Sequence, residues 1–112
     1  MRYGIRQENG ARIIELFGSL DMSNSEDART VFDKVLRSQP NLILIDMAGL
    51  QFLKSSGFQV LFELVEGARQ KDVPIAVVGP HDRIQSVLDI FRLDKVIPVY
   101  NSVAEALDDL VP

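Results

Sequence analysis

Two adjacent serines, Ser55 and Ser56, stand between Lys54 and Gly57. They follow the apolar run Leu42-Ile43-Leu44-Ile45-Asp46 and precede an amphipathic pattern that begins near Phe58. A hydroxyl at a helix start lies among backbone amides that have no intrahelical acceptor, at the positive end of the helix dipole. A phosphate there would add about −1.5 to −2 charge. The helix terminus would favour that charge by about 0.3–1 kcal/mol. The expected chemistry is therefore phosphorylation that changes an interface while leaving the fold intact. The competing use of either serine is an N-cap, worth about 1 kcal/mol. Ser56 with Gln59 reads as a capping box, and Ser55 can equally be the cap.

The remaining candidates carry plainer readings. Lys54 is either an exposed loop charge or a partner for a phosphate or an acidic surface. Asp21 follows a strand pattern, where Asp favours turns. Asp46 ends a buried-strand pattern, the position of a phosphoacceptor carboxylate in response-regulator receivers. Such receivers also need an acidic pair after the first strand and a Lys after the last, and Tyr100-Asn101 stands in the latter place. Asp46 is expected to bond loop amides beneath the serines. His81 has no neighbour that makes it a general base. There is no Gly-x-Ser-x-Gly elbow, phosphate-binding loop or dinucleotide fingerprint. With no Cys and one His, a zinc site is not expected. No enzyme activity, cofactor or catalytic set is expected.

The elements that must hold Ser55 can be read from periodicity. The chain has 112 residues and 46% hydrophobic content, enough for one domain spanning residues 1–112 with its own core. The net charge of −4, with no basic run, argues against nucleic acid. No apolar run approaches the roughly 20 residues of a membrane span, and the N-terminus does not read as a signal peptide. A cytoplasmic protein is expected, and Met1 with a complete final helical pattern points to a free-standing chain.

Tyr3 to Gln7 alternates as a weak strand, and Asn9-Gly10 is a two-residue hairpin turn. Ile13 to Phe17 returns, and Gly18-Ser19-Leu20-Asp21 is expected to break it. Ser23-Asn24-Ser25-Glu26 reads as a capping box, followed by the stripe Ala28, Val31, Phe32, Val35 and Leu36. Leu42 to Ile45 is apolar throughout, as in a strand covered on both faces. A second helix spans Ser56 to Gln70 with the stripe Phe58, Leu61, Phe62, Val65 and Ala68. Ile75 to Val78 is another buried strand. Gly79-Pro80 is expected to open a third helix with Ile84, Val87, Leu88 and Phe91 inward. Val96 to Tyr100 is a short strand whose Pro98 suggests an edge or a strand end. Ser102 to Glu105 is a capping box before the stripe Val103, Ala106, Leu107, Leu110 and Val111. The order ββαβαβαβα implies an α/β fold. Its mixed sheet would have an N-terminal hairpin, parallel β-α-β units and about four helices.

Three blocks in that order resemble the STAS domain of bacterial anti-sigma factor antagonists. They are Phe17-Gly18-Ser19-Leu20-Asp21, then Leu44 through Phe58, then an apolar strand with Gly79-Pro80 and a helix ending Phe91-Arg92-Leu93-Asp94. The resemblance spans nearly the whole chain. It implies a protein that binds an anti-sigma factor, often a serine kinase, and so releases a sigma factor. It implies phosphorylation at the first serine of the pair, Ser55, reversed by a serine phosphatase, with Ser56 left as the cap. It places Asp21, Lys54, Ser55, Ser56, Gly57 and Phe58 in the partner-binding region. The chain departs from the pattern at Lys54, where the family has Asp, and at Phe58, where Leu is common. Lys54 motivates the alternative of an unphosphorylated STAS scaffold or small-ligand-binding module.

Overall fold

A computed structural model describes residues 2–111. Strands β1 (Arg2–Glu8) and β2 (Ala11–Leu20) form an antiparallel hairpin. Its turn is Asn9-Gly10, both with positive φ, 52° and 82°. Helix α1 (Ser25–Arg37) leads to β3 (Leu42–Leu53), helix α2 (Ser55–Gln70) to β4 (Ile75–Val78), and helix α3 (Asp82–Ile90) to β5 (Val99–Tyr100). Helix α4 (Val103–Leu110) follows. The sheet order is β1-β2-β3-β4-β5, with β2 through β5 parallel.

Side chains of β3 and β4 alternate between two apolar layers. Ile43, Ile45, Ile75 and Val77 meet α1, α2 and α3 on one face. Leu42, Leu44, Ala76 and Val78 meet Ala106 and Leu107 of α4 on the other. A strand covered on both sides needs apolar residues at every position, which is why Leu42–Ile45 shows no polar alternation.

Several boundaries differ from those expected. β2 continues through Gly18-Ser19-Leu20, and β3 runs eight residues past Ile45. The two extensions support each other: Phe17 pairs with Gly49, Ser19 with Phe52 and Leu20 with Leu53, across two register shifts. Non-local pairing thus makes a strand of a segment whose composition reads as a loop. In α2, Val60 and Leu64 are buried, while Phe62 is 40% exposed, because this helix packs on α1 as well as on the sheet. α3 begins at Asp82, with His81 as N-cap, and Gly79-Pro80 lies outside it. A 3-10 turn, Leu93–Lys95, shortens the last strand to Val99–Tyr100. Phe91, expected inside, is exposed, and Val96, expected in the last strand, lies before it and is also exposed.

Candidate functional site

The end of β2 and the start of α2 meet at one carbonyl. The Lys54 amide donates to the Leu20 carbonyl oxygen at 3.0 Å, directly after Leu20 pairs with Leu53 in the ladder. Gly57 lies against the same group: a Cβ at that position would stand 2.2 Å from the Leu20 oxygen and 2.6 Å from its carbon. Real Cβ atoms do not approach so closely, so only glycine lets the first turn of α2 seat on the end of β2. Phe58 follows and is buried, stacked on Phe91 at 4.2 Å between ring centroids.

This seating leaves both serines without a capping task. Lys54 occupies the N-cap position, with no side-chain cap bond. Ser55 is the first helical residue and is exposed, and Ser56 is half-buried. Neither expected cap, Ser55 or Ser56, forms. A cap needs its side chain outside the helix and folded back over the first turn. Here the Leu20 contacts pull the helix start back to Ser55, so both hydroxyls belong to the first turn itself.

The opposite wall is the turn after β2. Ser23 donates to Asp21 Oδ1 through its amide (2.9 Å) and its hydroxyl (2.6 Å), and the Ser19 hydroxyl donates to Oδ2 at 3.1 Å. Asn24 closes the loop, accepting from the Asp21 amide at 3.0 Å and donating to the Ser19 carbonyl at 2.8 Å. Ser23 is therefore spent on Asp21 and does not cap α1, whose N-cap, Asn24, makes no side-chain cap bond. The Ser23 hydroxyl and amide, then the Ser19 hydroxyl and the Lys54 charge, hold the Asp21 carboxyl below its ordinary value. Asp21, Met22, Ser23, Lys54, Ser55 and Ser56 line one open cavity of about 590 Å³. Met22 is 81% exposed at its edge.

The structure thus brings Asp21, Lys54, Ser55 and Ser56 together around one space. Gly57 and Phe58 lie beneath it and shape the helix start without facing the cavity. Sequence reading missed the Leu20 carbonyl, a backbone group with no sequence signature. It also missed the Ser19, Ser23 and Asn24 network, for which the Ser-x-Asp-x-Ser-Asn spacing was an available turn signal. Asp46 accepts from the Ala48 amide at 3.0 Å, within its own strand, and reaches no amide of the 54–58 segment.

The sequence pattern of the STAS domain matches residues 3–106. The chain belongs to the STAS domain family. An anti-sigma F factor antagonist of Paenibacillus polymyxa is 30% identical over 107 residues, covering 95% of this chain and 92% of that protein. The crystal structure of an anti-sigma factor antagonist from Mycobacterium paratuberculosis superposes with a TM-score of 0.91 at 22% identity, covering 99% and 94% of the two chains. The Bacillus cell fate determinant SpoIIAA in its phosphorylated form superposes with a TM-score of 0.75 at 18% identity, covering 96% and 97%. The expected STAS fold is the one found, with its mixed five-stranded sheet and four helices. Anti-sigma factor antagonists are regulators and not enzymes. Among the described residues no helix is long and apolar enough to cross a membrane.

Proposed function

We propose that this STAS protein is a cytoplasmic anti-sigma factor antagonist that docks its partner on the surface around Ser55. The observation that carries this reading is the uncommitted Ser55 hydroxyl. It is exposed on the first turn of α2 and faces a preformed cavity walled by Asp21 and Lys54. The partner is an anti-sigma factor with serine kinase activity, bound through Asp21, Lys54, Ser55 and Ser56. Gly57 and Phe58 hold that surface in place.

In the phosphorylation step the Ser55 oxygen bonds to the γ-phosphorus of the kinase's ATP as the bond to ADP breaks. ADP leaves, and the hydroxyl proton passes to a base on the kinase. The product dianion rests among first-turn amides, so the fold tolerates it. The partner surface must instead accept a new charge at close range. About 1.4 kcal/mol of repulsion or desolvation lowers affinity tenfold. A serine phosphatase restores the hydroxyl by hydrolysis, water taking the phosphoryl group and inorganic phosphate leaving. SpoIIAA, a protein of the same fold, has been solved in a phosphorylated form, which supports a phosphorylation switch on this fold.

Calorimetry of wild type and Ser55→Asp against anti-sigma factors from the protein's own cells tests the reading. The aspartate variant binds at least tenfold more weakly with an unchanged melting temperature, and equal affinities reject the switch. Lys54 and the open cavity beside it favour a second reading, an unphosphorylated scaffold or small-ligand module. Intact-mass measurement of the protein from its own cells across growth states separates the two, since phosphate never appears under the second.

A further inference from the structure

We propose that Phe52, Lys54 and Arg83 form a cation-flanked aromatic contact for an acidic segment of the protein that docks over Ser55. The inference rests on the docking reading above and specifies the chemistry of the partner. Phe52 is the penultimate residue of β3 and is 41% exposed, while its neighbour Leu53 is buried. Two cations from different elements converge on this ring. The Arg83 guanidinium carbon, from the first turn of α3, is 5.0 Å from the centroid, and Lys54 Nζ is 5.8 Å from it. The ring face attracts both.

Among the described residues neither cation has a carboxylate within 4.0 Å. Arg6, Arg29 and Arg69, by contrast, each pair with a glutamate. Asp21 lines the same cavity as Lys54, and the two form no ion pair within 4.0 Å. Two like charges are thus gathered on one exposed ring of a chain whose net charge is −4. The complement of that arrangement is a carboxylate-bearing surface, and charge complementarity of this kind sets partner choice and association rate.

Lys54 also joins this contact to the cavity of Ser55, since it walls one and flanks the other. The surface continues along α3, where Arg83, Val87 and Ile90 recur at spacings of four and three. It ends at Ile90, 75% exposed, and Phe91, 48% exposed. The occupant is therefore amphipathic, with carboxylates toward Lys54 and Arg83 and apolar groups toward Ile90 and Phe91. This geometry also gives phosphorylation its leverage: a dianion on Ser55, next to Lys54, confronts the acidic segment with like charge.

The test measures binding to anti-sigma factors from the protein's own cells, at low and at high salt, for wild type, Lys54→Glu/Arg83→Glu and Phe52→Ala. The expected result for the reversal variant is a loss of at least tenfold and a flattened salt dependence, with Phe52→Ala also weakened. Replacing acidic residues of the partner by Lys restores binding to the reversal variant. Unchanged melting curves are expected for these exposed changes. Wild-type affinity and salt dependence in the reversal variant overturn the acidic contact, and if Ser55→Asp still weakens binding, the docking reading survives alone. If no anti-sigma factor binds wild type, or all variants bind alike, both fall.

Discussion

Helices α2 and α4 each have at their start a serine followed three residues later by Gln or Glu, Ser56 with Gln59 and Ser102 with Glu105, and the two starts behave differently. At α4, Ser102 is the N-cap and its hydroxyl accepts from the Glu105 amide at 3.1 Å. At α2, neither Ser55 nor Ser56 caps, and Lys54 holds the N-cap position by its backbone alone. The difference lies in what else anchors each start. α2 is held by the Lys54 amide on the Leu20 carbonyl and by Gly57 pressed against that same group. The start of α4 depends on its own side chains, including Glu105 Oε2, which accepts a weak bond from the Asn101 amide at 3.4 Å. A backbone anchor releases a hydroxyl for chemistry, and a side-chain cap consumes one.

The sharpest way to break this contrast is Gly57→Ala. The new methyl group must displace α2 from the end of β2, and overpacking of this kind costs about 1–3 kcal/mol. Denaturant unfolding is expected to show that loss, and an unchanged midpoint would remove the backbone anchor from the account. Next in size is Ser55→Asp, expected to cost partner affinity at least tenfold, or about 1.4 kcal/mol, with no loss of stability. Ser102→Ala follows, expected to lower stability by about 1 kcal/mol through the lost cap. The matched change Ser55→Ala should stay within about 0.5 kcal/mol, as at exposed sites without a structural bond. Equal costs at the two serines would erase the distinction.

The smallest effect concerns the wall opposite Ser55. Asp21 has a folded-state carboxyl pKa held below its ordinary value of 3.8, first by the Ser23 hydroxyl. A depressed carboxyl contributes stability at pH values above its unfolded pKa and loses it as pH falls through the folded one. The turn at 21–24 should therefore persist down to pH 3.8 and loosen only under stronger acid. Titration of the Ser23 amide by NMR should show a midpoint below 3.8, and a midpoint at or above it would contradict the bonding described.

Much of the frame was legible in the chain. The Asn9-Gly10 turn, the doubly covered Leu42–Ile45 strand and the Ser102 cap are each local consequences of residue type. The stripe of α1 was also legible, since Ala28, Val31, Phe32 and Val35 are buried as its spacing requires. The stripe of α2 was only partly so: Phe62 is 40% exposed, and Val60 and Leu64 are buried instead in a helix that packs on both α1 and the sheet. At the site, the serines and Asp21 were legible as types, but their bonding was not.

The sequence alone determined the order of elements, the polarity of each face and the presence of a modifiable hydroxyl near the start of α2. These follow from propensity, periodicity and turn chemistry, which act over a few residues. Tertiary structure decided that residues 46–53 form a strand, that both serines stay uncapped and that Phe52 gathers Lys54 and Arg83. Each of those outcomes depends on a group distant in the chain, above all the Leu20 carbonyl, and backbone groups brought together by folding leave no mark in local sequence.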